Sequence, residues 1–244
     1  MIVMALPKID TPTYELTLPV SKKKIRYRPF LVKEQRNLLM AMESNETNDV
    51  HLAIRDILEN CTLTPNVDID SLPIIDVEYF FIQLRAKSVG EVVESKYSCN
   101  NIVGDKECGN TMEHKLNLLN LKVEMNEDIK PEIQLNEKLA VKFKYPEFGM
   151  IKNSLNSENI NDLTFNMIAQ SIEYIYDGEQ FYYGKESSPK ELLDFVESMN
   201  QEQFSKVENF FSNLPKLKEK IEMTCSKCGF KHNIPVEGLE SFFG

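Results

Sequence analysis

The sequence predicts an α+β fold: an N-terminal hairpin with a helical unit, a central β region closed by a four-cysteine, zinc-ribbon-like site, and a helical insertion. Three observations predict it. The apolar period is helical from about residue 31 to 87, drops to two from Gly90, and turns helical again after Pro146. Four of the five cysteines fall in two polar stretches flanked by strand-like text, far apart in the chain. Among 244 residues, 42% are hydrophobic and 27% charged, enough apolar side chains to offset the entropy of ordering. These patterns set three segments: 1–89 for the hairpin and helical unit, 90–145 with 216–244 for a discontinuous β domain, and 146–215 for the mainly helical insertion.

The elements follow in order. Tyr14, Leu16 and Leu18 alternate with polar neighbours, residues 19–23 can turn, and Ile25 and Tyr27 resume the alternation, which reads as a hairpin over 13–30. Leu31, Leu38, Leu39 and Met42 then share one face of a helix over 31–43. Asn48 or Asp49 can cap a second helix, whose Val50, Ala53, Ile54, Ile57, Leu58 and Cys61 follow the i, i+3, i+4 rule. Cys61 reads there as a small core residue. A third helix over 75–87 turns Val77, Phe80, Phe81 and Leu84 inward.

From Gly90 strands are expected at Val92–Tyr97, at His114–Leu118, through Leu119, Leu121 and Val123, at Ile133–Leu135 and at Leu139–Phe143, with a turn at Asn136-Glu137. A helix follows with Leu163, Met167, Ile168 and Ile172. Asp177-Gly178 between Tyr174-Ile175-Tyr176 and Phe181-Tyr182-Tyr183 signals a hairpin. Ser188, Pro189 and Glu191 make a capped helix start, and a last helix over 200–213 carries Phe204, Val207, Phe210 and Phe211. Residues 218–224 and 233–236 read as strands on either side of the final cysteines.

Cys225-Ser226-Lys227-Cys228-Gly229 is a CxxC followed by glycine. In a zinc knuckle this spacing lets two thiolates converge on one ion, and the glycine takes the positive φ of the tight turn. Cys99 and Cys108 lie farther apart, but Cys108-Gly109-Asn110 keeps the Cys-Gly ending, and the pair reads as a knuckle with an inserted loop. Cys99, Cys108, Cys225 and Cys228 are therefore the expected ligands of one structural Zn2+, closed to water and substrate. Such sites contribute on the order of 10 kcal/mol in small zinc peptides. The competing readings are unrelated surface thiols, or a redox CxxC, which lacks the βαβ context it needs. His232 is an alternative ligand by chemistry but alternates as a polar strand position.

Charge and motif content narrow the function. With 28 basic and 38 acidic residues the net charge is −10, and net charge is −3 over residues 91–130 and +1 over 215–244. A nucleic-acid-reading ribbon needs clustered positive charge there, so a zinc-ribbon nucleic-acid accessory protein is the alternative and not the leading reading. Lys22–Arg28 holds five positive charges in seven residues, which suits a patch for an acidic partner or nucleic acid or, in the favoured reading, the outward face of a protected edge hairpin. The aromatic run around Tyr174–Tyr183 suits base stacking or, in the favoured reading, a hairpin packed on the core with a protein contact on its other face. The apolar Leu239–Gly244 can dock on the chain itself or on a partner. No phosphate-cradling glycine loop, HExxH or GxSxG text appears, so no catalytic residue and no small-molecule substrate is expected. The apolar run Met1–Leu6 is shorter than a signal peptide needs, and no stretch is long enough to span a membrane, which leads to an expectation of a cytosolic chain. Either Met1 or Met4 can serve as its start.

The text Leu6-Pro7-Lys8, Thr11-Pro12-Thr13-Tyr14-Glu15-Leu16-Thr17-Leu18-Pro19 and Arg28-Pro29-Phe30-Leu31-Val32-Lys33-Glu34-Gln35 resembles the start of the baseplate hub assembly proteins of T4-like tailed bacteriophages. The resemblance is strongest over residues 4–100 and continues to the C-terminal Cys-x-x-Cys-Gly; residues 146–215 diverge. It implies a non-enzymatic assembly factor or minor subunit of the baseplate hub, with other phage tail or hub proteins as partners. It also implies a place in the host cytoplasm during assembly and in the virion tail baseplate.

Overall fold

The computed structural model describes residues 9–44, 46–126, 128–154 and 160–237. The opening Met1–Lys8 and the apolar 239–244 segment lie outside the described residues.

The chain starts with the expected hairpin, β1 (Tyr14–Thr17) paired antiparallel to β2 (Lys24–Tyr27), with Tyr14 opposite Tyr27. Ile25 and Tyr27 are buried, so Lys24 and Arg26 must face out. Arg28 turns inward: its guanidinium meets Glu34 at 3.0 Å and the Cys61 sulfur at 3.6 Å. The basic run is thus divided between a solvated strand face and a buried anchor.

Three helices cover the hairpin: α1 (Val32–Glu43), α2 (Thr47–Cys61) and α3 (Ile74–Ser88). Glu34 closes the first turn of α1, accepting the Leu31 N–H at 2.7 Å. Of the four apolar residues expected on one face, only Leu38 is buried; Leu39 stays 52% exposed, and Leu31 and Met42 are also exposed. α1 packs on α2, and this contact leaves most of that face uncovered. α2 starts one to two residues before the expected caps, with Glu46 at its N-cap, and buries Ile54, Ile57, Leu58 and Cys61 as its spacing requires.

α3 differs most from its sequence reading. Val77, Phe80, Phe81 and Leu84 do pack on the hairpin and α2. Its opposite face is equally apolar: Ile75, Ile82 and Ala86 enter a second core with Val93, Leu118, Leu121, Leu217, Ile221 and Val236. A helix buried on two sides shows no clean stripe, because both faces carry apolar side chains. Asp76, with no exposed surface, sits at its start and accepts the backbone N–H groups of Val20 and Ser21, each at 2.8 Å. One carboxylate thereby fixes the hairpin loop to the central helix.

Long strands β3 (Val92–Ser98) and β6 (Thr111–Asn117) pair antiparallel, and the loop between them carries a small hairpin, β4 (Ile102–Val103) and β5 (Lys106–Glu107). The expected strand through Leu119–Val123 is instead a 3-10 turn over Leu118–Asn120, capped by Asn117, followed by the two-residue β7 (Val123–Glu124). Leu118 and Leu121 both reach the second core, and spacing of three fits a helical turn better than a strand.

The remaining strands divide by pairing. β8 (Glu132–Gln134) and β9 (Ala140–Phe143) join β10 (Ile172–Tyr176) and β11 (Phe181–Tyr183) in a sheet ordered β11-β10-β9-β8. Helices α5 (Ile160–Gln170), α6 (Pro189–Glu197) and α7 (Gln201–Ser212) pack on it through Phe143, Ile168, Leu192, Val196, Val207 and Phe210. α4 (Phe148–Ser154) precedes them. The Asp-Gly turn forms between β10 and β11, and Ser188 and Glu191 make the expected reciprocal cap of α6. Asn200 and Gln203 repeat that device on α7. Finally β12 (Lys216–Thr224) pairs with β13 (Lys231–Glu237) and, at its start, with β7. The chain's end therefore returns to the strands that carry the first cysteine pair.

Candidate metal centre

Three of the four cysteines sit just past a strand, and the fourth lies in a turn. Cys99 follows β3, Cys108 follows β5, and Cys225 follows β12 with Cys228 in the turn toward β13. The two loops are built alike. The Gly109 N–H donates to the Cys99 carbonyl at 2.9 Å, and the Gly229 N–H donates to the Cys225 carbonyl at 2.9 Å. Gly109 has φ 63° and Gly229 φ 72°, left-handed values that favour glycine after the second cysteine of each pair. The insertion between Cys99 and Cys108 is absorbed by the β4–β5 hairpin, with Cys108 N–H bonded to Asn101 O at 2.8 Å.

The structure brings all four expected residues together. Cys99, Cys108, Cys225 and Cys228 place their sulfurs within 4.8 Å of one another. The close pairs cross between loops: Cys99 to Cys228 at 3.6 Å and Cys108 to Cys225 at 3.8 Å. These are not disulfide lengths, which are about 2.05 Å. Both match the edge of a four-sulfur tetrahedron, since zinc–sulfur bonds of about 2.3 Å at tetrahedral angles put sulfurs about 3.8 Å apart. The donor set fits a soft or borderline cation with four thiolates and no open position.

The electrostatics point the same way. The Cys225 thiol is drawn down to about 6, first by the Cys228 backbone N–H and then by that of Lys227. Cys228 is lowered too, first by the Phe230 backbone N–H and with help from the Asn101 amide. Burial pushes Cys99 up to about 12, with the adjacent sulfurs adding. At Cys108 the Asn110 backbone N–H lowers the pKa, but burial and neighbouring sulfurs outweigh it and the net shift is upward. The Cys225–Cys228 knuckle is predisposed to ionise by its backbone N–H donors, whereas burial holds Cys99 and Cys108 protonated. A divalent cation bound among them would favour the thiolate form of all four.

Beside the sulfurs stand two asparagine amide donors that sequence reading missed, together with the His232 ring. Asn101 Nδ2 lies 3.6 Å from Cys228 Sγ, Asn110 Nδ2 lies 3.5 Å from Cys225 Sγ, and the buried His232 Nε2 lies 3.2 Å from Cys99 Sγ. His232 is thus beside the cluster and outside the four-sulfur set. A signal was present: an asparagine follows each cysteine of the first pair by two residues. Lys227 Nζ also donates to the Cys108 carbonyl at 3.2 Å, tying one loop to the other.

Cys61 lies elsewhere, fully buried between α2 and Arg28, with its thiol pushed up to about 11 by burial. It is a core residue, as its helix position indicates. In the aromatic group, Phe181 stacks on Tyr176 and meets Tyr174 edge-on, while Phe181, Tyr182 and Tyr183 keep much of their surface exposed on an edge strand.

Compared with known protein families, the chain matches the model described as T4 bacteriophage base plate protein over residues 11–244. It belongs to that family. The match covers nearly the whole chain, so the cysteine centre, the N-terminal core and the α5–α7 layer all lie within this base plate protein. No curated protein and no solved structure matches the chain. No helix of the described residues is long and apolar enough to cross a membrane.

Proposed function

We propose that this T4-type base plate protein is a non-enzymatic assembly factor or minor subunit of the baseplate hub, stabilised by one structural zinc on Cys99, Cys108, Cys225 and Cys228. The observation that carries the zinc reading is the convergence of four sulfurs from two loops more than a hundred residues apart, at edge lengths suited to a tetrahedral ion. Bound there, zinc supplies a closed, redox-inert cross-link. The chain's own part is to aim the thiolates with two left-handed glycine turns and to donate N–H groups to the sulfurs. In this role the site joins β3–β6 to β12–β13 and catalyses nothing.

The hub reading rests on family membership together with the N-terminal text that resembles hub assembly proteins. The partners are then other tail proteins, met in the host cytoplasm. Two measurements test the two halves separately. Metal analysis of purified protein is expected to return one zinc per chain; metal-free protein with four freely titrating cysteines overturns the zinc assignment. Deleting the gene is expected to block hub formation while leaving phage DNA replication intact; normal tails overturn the hub assignment.

A further inference from the structure

Where the start of α3 meets α7 and the beginning of β12, the surface opens into a cleft of about 300 Å³. Its walls are apolar: Ile74, Ile75, Met167, Phe211 and Leu214 among them. One acidic side chain, Glu78, lines the same space. It lies one helical turn beyond Ile74 and Ile75, on the same side of α3. Burial is the sole cause of its pKa rising to about 7, so no charge or hydrogen bond of the described residues offsets its desolvation. Lys216 also lines the cleft, but its ammonium forms no ion pair with Glu78 among the described residues.

A half-buried carboxylate without a partner is costly, and a protein surface seldom retains one inside an apolar cleft. Asp76, two residues earlier, shows the usual solution in this same helix: full burial with two backbone N–H donors. Glu78 is only partly buried and, among the described residues, has no such donors. What completes it is a cation carried on an apolar stem, since the stem covers Ile75, Met167 and Leu214 while the charge reaches the carboxylate. Lysine and arginine side chains have that form. We propose that this cleft is a docking site for a basic side chain of a partner protein, with Glu78 as the charge-reading residue and the α3–α7 walls as the sheath for its alkyl stem. The proposal is independent of the zinc centre, which draws on none of these residues.

The test uses the whole purified chain at pH 8, where both Glu78 and a lysine amine are charged, with NMR observation of the Met167 and isoleucine methyl groups. The probes are N-acetyl-lysine methylamide and N-acetyl-norleucine methylamide, which share a stem and differ in the ammonium. The lysine probe is expected to shift those methyls saturably and to bind about tenfold more tightly than the norleucine probe, the worth of about 1.4 kcal/mol. In Glu78→Gln, whose overall spectrum should stay native, that preference is expected to vanish. Equal binding of both probes in the native chain, no saturable shift, or an unchanged lysine preference in Glu78→Gln each overturns the proposal. Free pentylammonium binding far more tightly than the blocked lysine also overturns it, by pointing to a small amine in place of a protein side chain. A direct Lys216–Glu78 contact, seen as loss of the lysine preference that Lys216→Met restores, overturns it as well.

Discussion

Phe80, Phe81 and the apolar side chains of the hairpin, α1 and α2 surround one another in the N-terminal core, whereas Cys99, Cys108, Cys225 and Met112 are what is buried where the cysteine-bearing loops meet. The first region encloses large side chains that need only each other. The second gathers small polarisable groups whose charged forms repel and whose apolar area is slight. Packing accounts for the first fold without help; at the second, the cation proposed above would hold the loops at the observed spacing. The difference teaches that one chain can join a core of large apolar side chains to a closure made of four clustered thiols, with α3 packed against both the N-terminal core and the strands beside the cysteines.

The largest effect expected is at the closure. Removing metal with a strong chelator, or Cys225→Ser, should release β12–β13 and the Cys99–Cys108 loop to fast hydrogen exchange while α2 and α3 stay protected. Uniform protection in both states would erase the contrast between the regions. Phe80→Ala should do the reverse. Loss of a fully buried phenylalanine costs about 3–5 kcal/mol by denaturant unfolding, and zinc content should remain one per chain in the fraction that stays folded.

A smaller effect lies at Glu78, beside the shared helix. Its folded pKa is about 7 against an ordinary 4.5. Between those values the folded chain binds the proton more tightly than the unfolded one, so this group's contribution to stability falls as pH rises from 4.5 to about 7. Glu78→Gln removes that fall. The variant should match the native chain near pH 4 and exceed it near pH 8 by at most about 3 kcal/mol, read by urea unfolding at both pH values. The smallest effect is in the third layer: Ser188→Ala, which deletes the α6 cap, should cost about 1 kcal/mol and leave metal content unchanged.

Local rules carried much of this molecule. The hairpin alternation, the α2 stripe, the Asp-Gly turn and the Ser188 cap all depend on residues within a few positions of one another, and all four form as their text requires. The four cysteines were also legible, because a CxxC-Gly and a Cys-Gly-Asn each describe a tight turn that aims sulfur inward. What was not legible depended on distant partners. Nothing local distinguishes the buried Ile82 face of α3 from an exposed one, since its cover comes from β3, β12 and β13. The Leu118–Leu121 turn alternates like a strand until the second core claims both leucines. Leu39 and Met42 look like core, yet no other described element buries them and both stay exposed.

The sequence by itself determined which thiols could share an ion and how each pair must turn, because cysteine spacing and glycine dihedral freedom are properties of a few consecutive residues. Tertiary structure alone decided that β8 and β9 leave the cysteine strands to pair with β10, that Asp76 is satisfied by the hairpin loop while Glu78, two residues on, faces an open cleft, and that His232 stands beside the sulfurs without joining them. The physical reason is the same in each case. Strand pairing, burial and the partner of a polar group depend on what the chain brings back from tens of residues away, and that is set by the sum of all its contacts.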